Sequence, residues 1–387
     1  MWMLREVLYT LSVAALLASL AGIGYLILAL LRVALFRNRP ESGGAYTPPV
    51  TVMKPLRGLE SQLYENLLSF CDQDYPVFQV VFGVQTARDP AVSVVERVIA
   101  AFPGHDFVLA VGGSTSVENP KVANLKNMVD SARHDILIVS DADMRVDRVY
   151  LRSVVKPFAA PNVGAVTAPY AGVPIAGIAS VIGAMFINDQ FTPSVLVALV
   201  FERLQYCFGS TMGVRRAVLD AIGGFGALGD YLADDYMLGK LVSDCGYAIV
   251  HAPYVVRNIV ADSSISSLWF RQLRWARTIR ALRPVGYSLS FLTYGFSMAL
   301  LYLAVSRDLR VGLALLFAAG GLEVALHYAA RRAFQTTHRA VPWLAPVRDL
   351  LGFAVWIASF FGRGVRWHHQ EFSLEPGGSH SRFEVSR

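Results

Sequence analysis

Between residues 50 and 168, short apolar runs alternate with longer amphipathic segments, which predicts alternating strands and helices. The predicted strands are 50–53, 78–82, 107–111, 136–139 and 163–168. The predicted helices are 62–70, 91–101, 121–132 and 150–160, followed beyond residue 208 by 216–222, 236–242 and 264–282. Strand–helix–strand units at this pitch predict an α/β fold with a mostly parallel sheet, which binds ligands beyond the carboxyl ends of its strands.

The N-terminal segment 7–31 is apolar and carries no charged residue over 25 positions, more than the ~20 that a membrane-spanning helix needs. A signal peptide is the alternative, but the run is long for one and no small-residue cleavage pattern follows it. We therefore expect a retained anchor, 1–34. Positive charge follows it at Arg32, Arg37 and Arg39. The positive-inside rule then places the chain after Arg32 on the cytosolic side of the inner membrane, in a multi-pass protein.

Apolar segments return near the C-terminus, at 285–305, 311–329 and 350–361, and predict two or three further membrane segments. Alternating spans would put Arg363 and Arg366 outside, against the positive-inside rule, unless one segment is re-entrant. The apolar stretch 171–200 is interrupted by polar residues 188–190 and by Pro193, so we expect an interfacial helix there and not a crossing.

These patterns predict four regions. The anchor 1–34 is joined by a linker, 39–49, to a catalytic domain, 48–283, which includes interfacial helices near 171–200 and 264–282. A C-terminal membrane region, 284–364, and a tail, 365–387, complete the chain, and the tail is expected to be disordered after Glu375.

Composition narrows the possible partners. The chain has 387 residues, of which 54% are hydrophobic, and a net charge of +6. Such a charge suits nucleic acid, anionic lipids or phosphorylated substrates. The basic residues gather beside apolar segments and no nucleic-acid-binding motif accompanies them, which favours a lipid bilayer and speaks against nucleic acid. The three cysteines, Cys71, Cys207 and Cys245, lack the spacing of a zinc site or a disulfide framework.

Two carboxylates, Asp141 and Asp143, follow the predicted strand 136–139 directly. Hard cations such as Mg²⁺ or Mn²⁺ favour carboxylate and phosphate oxygens, so the pair could hold a metal-bound diphosphate. An Asp-rich turn that caps the next helix is an equally good interpretation of these residues alone.

A second acidic pair, Asp234 and Asp235, precedes the predicted helix 236–242. One acid could be the N-cap while the other points into the cleft, and Asp235 is our candidate for a general base that takes a proton from an attacking hydroxyl. The alternative is that both acids only complement the helix dipole.

The predicted helix 264–282 carries Arg271, Arg274 and Trp275 on one face. Arginine suits diphosphate oxygens, and tryptophan suits the apolar side of a sugar or a lipid. A basic interfacial helix with an anchoring Trp is the alternative.

In their order and spacing these motifs resemble family-2-type glycosyltransferases of the GT-A fold, a Rossmann-like α/β architecture. The closest resemblance is to the ceramide glucosyltransferase family and its bacterial, hopanoid-associated relatives, over about 50–287. Asp89 resembles the first conserved Asp, which helps to bind the nucleotide base. Asp141 and Asp143 resemble the metal-binding element, Asp235 the base, and 271–275 the closing (Q/R)xxRW motif.

Four more residues carry the resemblance. Lys54 and Pro55 resemble the entry strand of the nucleotide-binding fold, and Lys121 and Asn124 belong to a loop-to-helix element before the metal strand. The resemblance implies that all four bind the nucleotide sugar.

The implied activity is inverting transfer of one sugar from a UDP-sugar to a membrane lipid, with Mg²⁺ or Mn²⁺ as cofactor. UDP-glucose with ceramide is one family activity, and UDP-N-acetylglucosamine with a hopanoid polyol is another. The segments 186–194 and 225–231 are more similar to the hopanoid-associated branch. Many polymerising relatives carry Gln where this chain has Arg271, which favours a single transfer. A processive polysaccharide synthase and an inactive nucleotide-sugar sensor remain the alternatives.

Overall fold

The computed structural model describes residues 2–38, 46–112, 119–306, 308–367 and 370–382. Arg39, most of the predicted linker and the last five residues of the tail lie outside these ranges.

In chain order, the α-helices are α1 (Trp2–Leu35), α2 (Leu63–Cys71), α3 (Ala91–Ala101), α4 (Pro120–Val129), α5 (Tyr150–Val155), α6 (Ile178–Met185), α7 (Thr192–Phe201), α8 (Arg216–Ala221), α9 (Asp234–Asp244), α10 (Ile265–Leu282), α11 (Pro284–Leu289), α12 (Gly295–Ser306), α13 (Leu309–Ala333) and α14 (Ala345–Ser359). The strands are β1 (Val50–Pro55), β2 (Phe78–Val84), β3 (Asp106–Val111), β4 (Ile136–Val139), β5 (Met144–Arg145), β6 (Val163–Thr167), β7 (Tyr170–Pro174), β8 (Met212–Arg215), β9 (Ala248–His251), β10 (Val256–Val260), β11 (Gly364–Trp367), β12 (Gln370–Leu374) and β13 (His380–Arg382).

The chain divides into two compact units, here called the sheet unit and the helical unit. The sheet unit comprises Arg37–Ala171, Arg203–Ala261 and Ser379–Arg387. The helical unit comprises Met1–Phe36, Gly172–Glu202 and Asp262–Gly378. The predicted interfacial segments near 171–200 and 264–282 are thus grouped with the helical unit and not with the sheet.

The sheet unit is built on seven strands in the order β3-β2-β1-β4-β8-β6-β9. Strands β3, β2, β1 and β4 are parallel to one another, and β6 is parallel to β9. All residues of β1 and β4 are buried, as expected for strands that are covered on both faces. The mostly parallel α/β sheet is therefore confirmed.

Two strands of this sheet, β8 and β9, were not predicted, and β8 runs the other way. Strand β8 is antiparallel to both β4 and β6, and Met212 at its start pairs with Val139 at the end of β4. The turn that leads into β8 therefore lies at the same edge of the sheet as the carboxyl end of β4. This topology brings the segment 207–211 beside the residues that follow β4.

The helical unit contains three helices that are long and apolar enough to cross a membrane, counted over the described residues. They are Glu6–Leu35, Ile178–Phe201 and Leu309–Ala333. The predicted segment 285–305 is bent by 69° between Pro284–Thr293 and Gly295–Ser306, so that it forms either a broken span or a re-entrant loop. Helix α14 has 15 residues, which is short for a crossing.

The predicted interruption at 188–190 is wrong. Residues Phe186–Phe191 form a π-helical turn that joins α6 to α7, so the chain stays helical from Ile178 to Phe201. Pro193 lies in the first turn of α7. A π-turn already disrupts the regular hydrogen-bond ladder, which lets the chain tolerate a residue without an amide hydrogen.

Contacts between buried ionisable side chains join helices of the helical unit. Asp189, in the π-turn, contacts His327 of α13 at 2.8 Å, and Arg348 of α14 contacts Glu323 of α13 at 3.4 Å. All four side chains are at most 5% exposed. Burying an ionisable side chain costs free energy unless the side chain is paired. These contacts therefore join α13 to the π-turn and to α14.

The tail is more ordered than predicted. Strands β11 and β12 form an antiparallel hairpin within the helical unit, and β13 follows at His380–Arg382. The expectation of disorder directly after Glu375 is therefore wrong for residues 376–382, and the residues beyond Arg382 are outside the described part of the chain.

Candidate active site

Two backbone segments of the sheet unit meet beyond the carboxyl end of β4. The amide of Asp141 donates a hydrogen bond to the carbonyl oxygen of Gly209, 3.0 Å away. The amide of Gly209 in turn donates to the Oδ2 atom of Asp235 at 2.9 Å. The sheet thus brings the first and second acidic pairs of the sequence to one place, as their predicted functions require.

Lys121 lies between these two acidic pairs. Its Nζ atom is 2.7 Å from Oδ1 of Asp141 and 2.9 Å from Oδ2 of Asp234, and its side chain is only 13% exposed. Burial opposes the charge on Lys121, but the carboxylates of Asp141, Asp234 and Asp235 outweigh burial and raise its pKa. Lys121 therefore stays cationic and holds helices α4 and α9 at the end of β4.

The loop before Lys121 explains how α4 reaches this position. Asn119 is the N-cap of α4, accepting hydrogen bonds from the amides of Lys121 and Val122. Its Nδ2 atom donates to the carbonyl oxygen of Tyr231 at 2.7 Å, which ties the start of α4 to the segment before α9. Pro120 occupies the first turn, where a missing amide hydrogen costs nothing.

Asp235 is held by two backbone amides. Gly209 donates to one carboxylate oxygen, and the amide of Tyr236 donates to the other at 2.8 Å. Burial, with a further contribution from the charge of Asp234, raises the pKa of Asp235 to about 6. An oriented carboxylate whose pKa lies this close to neutrality suits a general base.

The predicted N-cap role for one of the two acids is wrong. Ala233 occupies the N-cap position of α9, and both Asp234 and Asp235 lie in the first helical turn. Asp234 is 4% exposed and forms an ion pair with Lys121. Burial raises the pKa of Asp234, and Lys121 opposes that rise.

Asp143 is fixed by strand β10. Its Oδ2 atom accepts a hydrogen bond of 2.8 Å from Nδ2 of Asn258, and its carbonyl oxygen accepts one from the amide of Ile259. Burial and the negative charge of Asp141 raise the pKa of Asp143. Asn258, which is 4% exposed, escaped the sequence analysis, although an amide side chain directly before the apolar residues Ile259 and Val260 is a usable signal.

Glu60, in the loop after β1, is a second residue that sequence reasoning missed. Burial, together with the charges of Asp143 and Asp141, raises the pKa of Glu60 to about 7. Its carboxyl group therefore belongs to the electrostatic surroundings of the acidic pair. No sequence motif marked it.

The residues fit a divalent cation. Asp141 and Asp143 do not cap the following helix, because α5 begins after Val149 and no side chain caps it. Among the described residues no cluster of three or more His, Cys, Asp or Glu side chains is arranged to hold a metal. Two carboxylates are nevertheless the usual protein contribution where phosphate oxygens of a substrate complete the shell of Mg²⁺. Like charges crowded in this way are relieved by a cation.

Lys54 contacts the backbone of Asp141 from within the core of the sheet unit. It is fully buried, its Nζ atom donates to the carbonyl oxygen of Asp141 at 2.6 Å, and it lies 3.7 Å from the ring centroid of Phe70. Burial lowers the pKa of Lys54 to about 7. Pro55 ends β1 opposite Gly83. The observed contacts of Lys54 fix the end of β4, and the nucleotide-binding role predicted for both residues remains a prediction.

Asn124 and Asp89 also make backbone contacts. Nδ2 of Asn124 donates to the carbonyl oxygen of Gly83 at 2.8 Å, which joins α4 to the end of β2. The carboxylate of Asp89 accepts hydrogen bonds from the amides of Gly58 and Ala91, at 2.9 Å for the shorter contact with each amide. These bonds connect the loop after β1 to the start of α3. A contact of either side chain with a nucleotide remains a prediction.

Arg271, Arg274 and Trp275 lie on α10 of the helical unit. The observed helix, Ile265–Leu282, matches the predicted 264–282 to within one residue, and it begins with a capping box made by Ser264 and Ser267. The guanidinium of Arg271 forms an ion pair with Asp262 and lies 5.1 Å from the ring centroid of Trp275. The joint use of these residues with the aspartates of the sheet unit remains a proposal.

Comparison with known proteins identifies the family of this chain. The sequence profile described as glycosyl transferase family 21 matches residues 14–380. The chain belongs to glycosyl transferase family 21. The predicted likeness to ceramide glucosyltransferases is therefore confirmed.

Curated relatives show how much of the chain shares this likeness. The chain is 28% identical over 240 residues to ceramide glucosyltransferase 3 of Caenorhabditis elegans, which covers 61% of the chain and 52% of the relative. It is 32% identical over 101 residues to the ceramide glucosyltransferase of Komagataella phaffii, covering 25% and 20%. The chain thus spans about half the length or less of these relatives.

Among solved structures, the fold is similar to that of a mannosyltransferase from Pyrobaculum calidifontis in complex with GDP-Man and Mn²⁺. The TM-score is 0.56 at 21% identity, and the match covers 91% of this chain and 99% of the other. The likeness confirms the GT-A fold of the family 21 glycosyltransferase.

Proposed function

We propose that this glycosyltransferase is a membrane-bound inverting enzyme that moves one sugar from a UDP-sugar to a lipid hydroxyl. The observation that carries the proposal is the carboxylate of Asp235, oriented by two amides, with its pKa raised to about 6, in the unit that also presents Asp141 and Asp143. Such an arrangement suits attack by a hydroxyl on a sugar whose leaving group is a diphosphate.

Asp235 acts as the base in this scheme. It accepts the proton of the acceptor hydroxyl while the oxygen attacks the anomeric carbon of an α-linked donor, and the product is a β-glycoside. The amides of Gly209 and Tyr236 keep the carboxylate in one orientation. General-base help of this kind is worth about 10²–10⁴-fold, and alignment of donor and acceptor contributes the larger share.

Asp141 and Asp143 would hold Mg²⁺ or Mn²⁺, which when bound neutralises charge on the departing diphosphate. Lys54, Lys121 and Asn124 keep the end of β4 and helix α4 in place beneath that position. Pro55 and Asp89 flank the nucleotide in this proposal. Helix α10 contributes positive charge for the diphosphate through Arg274, with Arg271 and Trp275 beside it.

The acceptor is proposed to be an amphipathic lipid that is met at the bilayer surface. The three long apolar helices and the basic residues beside them support this. We slightly favour a hopanoid polyol with UDP-N-acetylglucosamine over ceramide with UDP-glucose, on the resemblance of 186–194 and 225–231 to the hopanoid-associated branch. We propose that the sheet unit lies on the cytosolic side of the inner membrane, which the positive charge of Arg32 and Arg37 after the N-terminal helix supports.

The test is incubation of the purified protein and Mn²⁺ with UDP-glucose, UDP-N-acetylglucosamine or GDP-mannose and a total lipid extract, followed by mass spectrometry. We expect lipids that have gained one hexose or one N-acetylhexosamine from a UDP donor, and none with the Asp235→Asn variant. Products with several sugars would instead identify a processive synthase. Donor binding without a new lipid from any extract would identify a nucleotide-sugar sensor.

A further inference from the structure

Three side chains line up along one face of the start of α10. Asp262 lies two residues before the N-cap Ser264, Arg271 lies two turns into the helix, and Trp275 lies one turn further on. Helical side chains lean toward the N-terminus of their own helix, which carries the guanidinium of Arg271 back toward Asp262. Arg271 thus contacts Asp262 on one side and Trp275 on the other.

The contacts are those of a shielded group. The side chain of Asp262 is 8% exposed and that of Arg271 is 21% exposed. The guanidinium lies 5.1 Å from the indole centroid, within the range of a cation–π contact. Removal of one partner from a shielded pair costs far more stability than removal of one partner from a surface pair, because the remaining charge is left without compensation in a poorly hydrated place.

A surface pair at the other end of the same helix provides the contrast. Arg283, the C-cap of α10, pairs with Glu202 at 2.7 Å, but the side chains are 42% and 37% exposed. Such an exposed pair typically contributes little to the stability of the fold. Of these two pairs, the shielded one at the start of α10 is therefore the better suited to hold a side chain in one orientation.

We propose that Asp262 is a positioning residue for the transfer reaction: by pairing with Arg271 it holds that guanidinium against Trp275 and so fixes the indole in the orientation in which it receives the acceptor. This inference rests on the proposed function and deepens it. It assigns to Arg271 a part in orienting Trp275, and it leaves Arg274 as the residue of the motif that faces the diphosphate.

The first experiment is a double-mutant cycle with Asp262→Asn, Arg271→Gln and the combined variant, in which transfer is measured as a function of acceptor and of donor concentration. Each single variant should raise the acceptor KM about tenfold, with the donor KM and kcat changed less than about threefold. The combined variant should lose no more than either single one, because its two amides leave no unpaired charge. Asp262→Glu, which keeps the charge, should stay within about threefold of the wild type.

The second experiment reads the indole itself and needs no activity. The emission of Trp275 is obtained as the difference between each protein and the same protein with Trp275→Phe. It should shift in Asp262→Asn and Arg271→Gln alike, and stay unchanged in Asp262→Glu. Glu202→Gln, which removes the exposed pair from the same helix, is the matched control and should change neither the emission nor the KM values.

Losses that multiply in the combined variant, or an unchanged Trp275 emission in Asp262→Asn, would overturn the inference. If the wild type glycosylates no lipid, the proposed function fails, but the emission measurement still decides whether Asp262 positions Trp275 through Arg271. A variant that does not fold is recognised by its melting curve, and Asp262→Glu then decides through its acceptor KM and emission.

Discussion

Gly209 is joined to Asp235 by a hydrogen bond of 2.9 Å from its amide to the carboxylate, while its carbonyl oxygen accepts the amide of Asp141 at 3.0 Å. One glycine thus connects the candidate base to the candidate metal ligands. The position also has no room for a side chain, since a Cβ atom built on Gly209 would lie 2.3 Å from Oδ2 of Asp141.

Gly209→Ala should therefore impair transfer strongly without unfolding the protein. The added methyl group must displace either the carboxylate of Asp141 or the turn before β8, and an error of about 1 Å in such a site costs about 10²-fold in rate. The measurement is kcat/KM for transfer, with the melting temperature as a check on folding.

Gly226→Ala is the matched control for this variant, since the nearest atom to a Cβ there is 3.9 Å away on the flexible side chain of Lys126. It should retain activity. A Gly209→Ala enzyme with activity close to that of the wild type would show that the turn yields freely and does not set the geometry of the site.

Asp235→Asn should lower kcat by at least the 10²–10⁴-fold expected for loss of a general base, while UDP binding is preserved. The amide is nearly the same size as the carboxylate, so the contact with Gly209 can persist. Isothermal titration with UDP and Mn²⁺ should give a Kd within about threefold of the wild type, because the variant removes charge from the base and not from the nucleotide site. Near-normal turnover would remove Asp235 from the mechanism.

The pH dependence of transfer follows from the raised pKa of Asp235. The base works only as the carboxylate, so kcat/KM should be constant well above pH 6 and fall about tenfold per pH unit below it. Glu60 is the control, because its pKa is also raised, to about 7, and it could cause a similar fall in activity. In the Glu60→Gln variant, kcat/KM should still begin to fall near pH 6. A limb near pH 4 would mean that Asp235 titrates as an ordinary carboxylate.

The position of the two acidic pairs could be predicted because it depends on local patterns. The apolar run 136–139 is a strand with the bounds that the sequence predicted, and the end of a parallel strand is where Asp141 and Asp143 had to lie. The helix 91–101 likewise has its predicted bounds, and the predicted helix 264–282 differs by one residue because Ser264 is the N-cap of α10. Periodicity and capping chemistry act within a few residues and are therefore visible in the sequence.

The supporting contacts could not be predicted because they join residues far apart in the chain. Asn258 reaches Asp143 from β10, and Gly209 reaches Asp141 because β8 runs antiparallel to β4. Strand direction is decided by the whole sheet and not by a segment. The continuous helix through 188–190 could not be predicted for the same reason. Its buried Asp189 is paired with His327, which lies more than a hundred residues later in the chain.

Asn258 should be required for metal affinity although it was not among the predicted ligands. Its amide is the observed side-chain donor to Asp143, and loss of such an outer contact usually costs about 10–100-fold in metal affinity. Asn258→Ala should therefore weaken Mn²⁺-dependent UDP binding in calorimetry, and Asp143→Ala should weaken it more. UDP binding without metal should be unaffected by either change. The exposed Asn162 is the control position, and an Asn258→Ala protein with the Mn²⁺ affinity of the wild type would contradict the assignment.

Arg348→Leu should destabilise the helical unit more than any substitution at a surface ion pair. Arg348 is 4% exposed and Glu323 is 2% exposed, so the variant leaves a buried ionisable side chain without its partner, which typically costs about 3–5 kcal/mol. Arg283→Leu, at the exposed pair with Glu202, should cost about 0–1 kcal/mol. Thermal unfolding in detergent measures both. The combined variant Arg348→Leu/Glu323→Leu should recover most of the loss, because apolar side chains need no compensating charge; a combined variant as unstable as Arg348→Leu would show that the arginine stabilises the helices through other contacts.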